Sequence, residues 1–164
     1  MKNKAQIIVR NATIDDAEAL ARFNRNMAME TENLSLIPAV ILSGVKAVFD
    51  NPARGFYVVA ELQNKIVASL LVTTEWSDWR NGELWWIQSV YVVREWRRQG
   101  LYRLLYQHVK QLADLDQNVC GFRLYVEHEN KIAQHTYSEL GMIETPYKMF
   151  EELKPGLKFS YGKE

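Results

Sequence analysis

The stretch WIQSVYVVREWRRQGLYRLL, from Trp86 to Leu105, constrains the fold more than any other part of this chain. It opens as an apolar, β-branched run, breaks at a basic loop with one glycine, and resumes with apolar residues at helical spacing. A strand feeding a loop and then a helix delivers backbone N–H groups to a helix start, where first-turn amides have no intrahelical partner. The positive end of the helix dipole faces the same point. The unit is an anion site in outline. Arg94, Arg97, Arg98 and Arg103 surround it, and Gly100 lets the backbone approach a ligand without a Cβ in the way.

The rest of the chain supplies a sheet and helices to hold that unit. Gln6–Arg10 reads as a first strand, and Thr13 with Asp15 and Asp16 starts a helix over 13–28. Met29–Leu36 (METENLSL) reads as a loop or frayed helix end. Pro38 opens a second helix that Asn51-Pro52 stops. Phe56–Glu61 and Lys65–Glu75 are strand-like, Trp76–Gly82 is a turn-rich link, and Glu83–Val93 is the strand that enters the basic loop. Leu101, Leu104, Leu105 and Leu112 give the next helix one apolar face. Gly121–Glu127 is again a strand, Asn130 caps a short helix closed by Gly141, and Met142–Leu153 reads as one or two closing strands bent at Pro146. This order predicts an α+β (mixed α/β) fold: a central, mostly antiparallel, twisted sheet of six or seven strands flanked by about four helices. A Rossmann half is excluded, because G-x-G-x-x-G and repeated βα units are missing. Residues 1–154 read as one domain and 155–164 as a tail.

Composition narrows the partners. The 20 basic and 20 acidic residues cancel, so no overall field draws nucleic acid or a membrane surface. The N-terminus has no signal-peptide core, and no apolar run nears the roughly 20 residues of a membrane span. A single cysteine, Cys120, makes no internal disulfide. A cytoplasmic address is the expectation. The three histidines lack ligand spacing, so no metal is expected.

Two separated motifs carry a resemblance. Behind SVYVV stand Arg97, Arg98, Gln99, Gly100, Leu101 and Tyr102; later come Asn130, Lys131, Ile132, Ala133, then Tyr137, then Leu140-Gly141-Met142. In this order, one helix and one strand apart, they resemble the acetyl-CoA loop and the late Asn/Tyr motif of the GNAT superfamily of N-acetyltransferases. The likeness covers about residues 6–153, with a general layout similar to polyamine and thialysine acetyltransferases. It implies the GNAT fold and acetyl-CoA as co-substrate. The loop Arg97, Arg98, Gln99, Gly100, Leu101, Tyr102 and Arg103 would hold the pyrophosphate. Val90, Tyr91 and Val92 would pair their backbone with the pantetheine arm, and Asn130 and Ala133 would lie along it. Tyr137 would be the general acid that protonates the leaving thiolate.

The chain departs from the family pattern at two letters. Tyr102 stands where the family prefers Gly or Ala, so its ring must point aside. Gln88 stands where those relatives carry a Glu, and an amide is no base; its implied role is to orient the substrate or a water. Glu30 falls in the segment that borders the acceptor in those relatives and is the expected substrate-binding carboxylate. Trp85 and Trp86 point to opposite faces of their strand, and Trp86 could wall a cleft for a cationic amine. The expected reaction is direct attack of a small-molecule primary amine, polyamine or amino-acid-like, on acetyl-CoA in a ternary complex. A catalytically weak CoA-binding module, or an enzyme acting on a protein or peptide amine, remains open at this stage. The closing strands and the tryptophan-rich surface are candidates for a homodimer contact.

Overall fold

The computed structural model describes residues 6–162; residues 1–5 and 163–164, the outer ends of the expected domain and tail, lie outside them. The elements are β1 (Ile8–Asn11), α1 (Ala17–Glu32), β2 (Ser35–Leu36), α2 (Pro38–Asp50), β3 (Phe56–Leu62), β4 (Lys65–Ser77), β5 (Gly82–Val92), α3 (Leu101–Asp114), β6 (Val119–Arg123), α4 (Lys131–Glu139) and β7 (Ser160–Tyr161). Five strands make one sheet in the order β1-β3-β4-β5-β6. Every pairing is antiparallel except β5 with β6, which is parallel. The mixed α+β fold expected from the sequence is the one observed.

Alternation along the strands loads both faces. Val58, Ala60, Leu70, Val72, Trp85 and Ile87 pack on one face against Leu101, Leu105 and Val109 of α3. Tyr57 and Val59 pack on the other against Ala17, Leu20 and Ala21 of α1 and Val45 of α2. Leu105 and Val109 are fully buried, so Leu105→Ala would cost about 2–5 kcal/mol. α3 is therefore held firmly, and its N-terminus is fixed relative to β5.

Two features of β5 set up the site. First, its pairing with β6 runs only from Glu83–Val119 to Trp86–Arg123, whereas β5 continues to Val92. The two parallel strands part there, and residues 87–92 keep an edge with no strand on that side among the described residues. Secondly, β5 carries a β-bulge. Gln88 opposes Leu71 and Tyr91 opposes Ser69, so Ser89 and Val90 together face Leu70. Ser89 sits at φ 50°, in the left-handed region that a non-glycine residue enters at a cost. The extra residue flips the alternation. Trp86 and Gln88 share one face, Val90 and Val92 join the α3-side core, and Tyr91 reaches the α1 side, 5.0 Å from Phe23.

The structure corrects several boundaries. α1 continues through Glu32, so Met29 and Glu30 take the helix-end reading of their segment and not the loop; Asn33 at φ 52° supplies the left-handed stop. β4 includes Trp76 and Ser77, and the turn is tighter than expected. β6 ends at Arg123, before Leu124–Glu127. The expected closing strands within Met142–Leu153 are absent from the sheet, which has five strands, not six or seven. A small second sheet appears instead, where Ser160–Tyr161, in the expected tail, pairs with Ser35–Leu36.

Candidate active site

The parting of β5 and β6 opens a slot between two differently built walls. One is the backbone of β5 beyond Trp86, leading to the loop before α3. Arg94–Trp96 form a 3₁₀ turn, Arg98 lies at φ 63°, and Gly100 caps α3 at φ 77°. Gly100 has no side chain to satisfy the amides of Leu101, Tyr102 and Arg103, and a Cβ built there would meet nothing within 4 Å. An uncapped helix start with left-handed residues before it forms a nest of N–H groups suited to phosphate oxygens. Arg98 and Arg103 make no ion pair or hydrogen bond among the described residues and stand as free cations at this nest.

Arg97 is placed differently. Its Nε donates to the Val92 carbonyl at 2.9 Å, one amino group pairs with Glu30 at 2.7 Å, and its guanidinium lies 5.5 Å from the Tyr91 ring centre. Arg94 reaches the same carboxylate at 3.3 Å, and Tyr91 Oη donates to it at 3.4 Å. Arg97 thus ties the end of β5 to the last turn of α1. Partial burial pushes the Glu30 carboxyl up, but Arg97 and Arg94 outweigh it and hold the group below its usual range. Glu30 is ionised and already neutralised. It lines a cleft of about 420 Å³ with Asn26, Met29, Tyr91, Arg94 and Glu95.

Tyr102 resolves its own departure. Its ring turns inward, stacked 6.0 Å from Tyr106 and edge-on 5.4 Å from Tyr137. It leaves the amide nest clear. Its hydroxyl is buried without a hydrogen-bond partner among the described residues, and burial drives its pKa far up. Tyr137 projects from α4 against this ring; burial raises its pKa as well, so it stays protonated at neutral pH. Asn130 caps α4, its Oδ1 accepting the Ala133 N–H at 3.1 Å. That contact occupies the Ala133 amide and leaves Asn130 its Nδ2 hydrogens.

The other wall is the sheet face that carries Trp86 and Gln88. Gln88 Nε2 donates to Thr73 Oγ1. Trp86 Nε1 donates to Glu75, which also accepts two hydrogen bonds from Arg123 at 3.0 Å. Tyr125 stands 6.2 Å from the Trp86 ring. The indole hydrogen bond, followed by the Arg123 contacts, keeps the Glu75 carboxyl below its usual range despite some desolvation. Because Trp86–Arg123 is the last β5–β6 pair, this cluster sits where the strands part. Glu75 carried no role in the sequence reading. The Asn81-Gly82 turn held the clue, since it fixes the β4–β5 register and puts Thr73 opposite Trp86.

A split parallel pair, a bulged strand and an uncapped glycine-led helix meet in one place. The sequence profile of the GNAT acetyltransferase family matches residues 21–142. The chain belongs to that family. As a GNAT it is an acetyl-CoA-dependent acyltransferase. A solved structure described as a possible acetyltransferase from Clostridium difficile 630 is 45% identical, with a TM-score of 0.83, covering 90% of this chain and 97% of that one. Two GNAT structures share the fold alone. An aminoglycoside N-acetyltransferase in complex with CoA is 11% identical, with a TM-score of 0.76, covering 94% of this chain and 99% of that one. An aminoglycoside acetyltransferase from an uncultured soil metagenomic sample, in complex with sisomicin, is 17% identical, with a TM-score of 0.74 and coverages of 90% and 97%. No curated protein matches in sequence. Among the described residues, no helix is long and apolar enough to cross a membrane, and no three His, Cys, Asp or Glu side chains are grouped to hold a metal.

Proposed function

We propose that this GNAT moves an acetyl group from acetyl-CoA to the primary amine of a small molecule, polyamine or amino-acid-like. The observation that carries the reading is the slot itself. Backbone donors lie on one wall and the ionised Glu75 on the other, while the ionised Glu30 is bonded to Arg94 and Arg97 of the loop before α3. Val90, Tyr91 and Val92 would hold the pantetheine arm by main-chain pairing, with Asn130 Nδ2 and Ala133 beside it. The amides from Arg98 to Arg103 would hold the pyrophosphate, with the Arg98 and Arg103 side chains adding charge. Acetyl-CoA supplies the activated thioester; the chain orients it and handles the protons. Amides at the Ser89–Val90 bulge would stabilise charge on the carbonyl oxygen, and the protonated Tyr137 would give its proton to sulfur. Trp86, Gln88 and Glu75 would receive the acceptor's ammonium, the indole by cation–π attraction and the carboxylate by charge, and its proton would pass to solvent water before the neutral amine attacks the thioester carbonyl. Residues 1–154 form the catalytic domain in this reading, and the dependence on acetyl-CoA fits a cytoplasmic address.

A thiol-release assay across polyamines, amino acids, aminoglycosides and peptides tests the proposal. Aminoglycosides belong in the panel because two proteins of like fold act on them by description. Turnover on a small amine supports the reading. Turnover on peptides alone would replace the acceptor class. Acetyl-CoA binding with no turnover on any class would make the protein a CoA-binding module.

A further inference from the structure

The acceptor wall carries opposite charges side by side, and strand register puts them there. Trp86 of β5 faces Arg123 of β6 in the last pair before the strands part, and Thr73 of β4 faces Trp86 from the other side. Residues directly opposite share a sheet face, and Glu75, two positions on from Thr73, returns to that face. An indole, a carboxylate and a guanidinium therefore meet at the floor of the slot.

Arg123 is only partly engaged in this cluster. Its Nη1 makes both 3.0 Å bonds to Glu75, while Nε and Nη2 have no hydrogen-bond partner among the described residues. The side chain is 32% exposed, so those donors are open to a ligand. A guanidinium is a planar fork that matches a carboxylate, and most of this fork is unused. Glu75 is in the converse position. It accepts from Trp86 and Arg123, and the charge of Arg80, in the turn between β4 and β5, also reaches it. One carboxylate thus faces two guanidiniums. A polyamine brings only cations to this wall and sets them against Arg123 and Arg80, and like charges brought together are penalised. An amine that also carries a carboxylate answers both signs.

We propose that the acceptor is an amino acid held as a zwitterion, its carboxylate on the open N–H groups of Arg123 and its ammonium toward Glu75 and Trp86. The inference rests on the acetyl-transfer reading above and narrows it to acceptors with an acid group. Gln88 is the next residue up that face and the Ser89–Val90 bulge follows it. A carboxylate anchored on Arg123 leaves the amine to reach up β5 toward the bulge, where the thioester carbonyl would lie.

Thiol release with matched acceptors tests this, each amino acid being set beside its amide and its decarboxylated amine. The free acid is expected to exceed both in kcat/KM by roughly 10- to 100-fold, the scale of a charged hydrogen bond. Arg123→Gln should erase that preference and favour the decarboxylated amine, because Glu75 then stands without its guanidinium; a merely structural defect would lower all three alike. Arg123→Lys, which keeps the charge but loses the fork, should recover part of the preference. Equal rates for acid and amide in the parent would overturn the proposal and leave acetyl transfer standing. So would a preference for decarboxylated amines, or a parallel loss on all three acceptors in Arg123→Gln. No turnover with any acceptor would overturn the acetyl-transfer reading and this inference with it. Should Arg123→Gln fail to fold, the ratios of the parent protein decide alone.

Discussion

The two walls of the slot are made of different materials. The cofactor wall is backbone: the free edge of β5 beyond Trp86, a bulge, and the uncapped start of α3. The acceptor wall is side chains, each already engaged: Gln88 with Thr73, and Glu75 with Trp86 and Arg123; Glu30, held by Arg97 and Arg94, stands beside the cofactor loop. Main-chain recognition tolerates changes of side chain. Side-chain recognition does not. Substitutions should therefore separate the walls cleanly.

The largest effect is expected from Tyr102→Ala, which restores the small residue of the family pattern. The ring fills space between Tyr106 and Tyr137, so its loss should cost about 3–5 kcal/mol of stability. The amide is kept, and acetyl-CoA affinity of the folded protein should hold. Tyr102→Phe removes only an unpartnered hydroxyl and should stabilise by about 1 kcal/mol. Denaturant melts and acetyl-CoA titrations check both. Next, Tyr137→Phe should lower kcat about 100-fold with cofactor affinity unchanged; an unaltered rate would remove Tyr137 as the acid. Gly100→Val forces a β-branched residue to φ 77°, a strain of about 1–2 kcal/mol. It should weaken acetyl-CoA binding roughly 5- to 30-fold and leave acceptor KM alone.

Glu75→Gln should do the opposite. It should raise acceptor KM about tenfold, the scale of one charged hydrogen bond, and spare acetyl-CoA affinity. The smallest effect belongs to Glu30→Gln, because ion pairs with exposed arginines contribute about 1 kcal/mol or less. Its pH signature is specific. The Glu30 carboxyl is held below its ordinary value, so its stabilising contribution is present above the unfolded value of about 4.3. That contribution is lost as pH falls through the lower folded value. Parent and Glu30→Gln melts should differ at neutral pH and converge in acid.

The contrast between the walls also explains what was legible in the sequence. Strand, loop and helix around Gly100 announce themselves by periodicity and a glycine, because a backbone site needs only local conformation. Glu75 was silent, since its partners Trp86 and Arg123 come from two other strands and depend on register. The Ser89 bulge was equally hidden in the run SVYVV, where every residue suits a strand. Glu30 was found by position; the segment read as a loop or frayed helix end is helical up to the left-handed stop at Asn33. Met142–Leu153 reads as strand by local pattern but pairs with no strand among the described residues, so the pattern overcounted the sheet.

The most direct measurement follows backbone amide resonances of the parent protein during titration with CoA. Residues 89–92 and 98–103 should shift strongly, while the Trp86 indole N–H and the amides of Glu75 and Arg123 stay nearly fixed. Shifts concentrated on the Trp86–Glu75–Arg123 face, with the loop before α3 unmoved, would contradict a backbone-built cofactor wall.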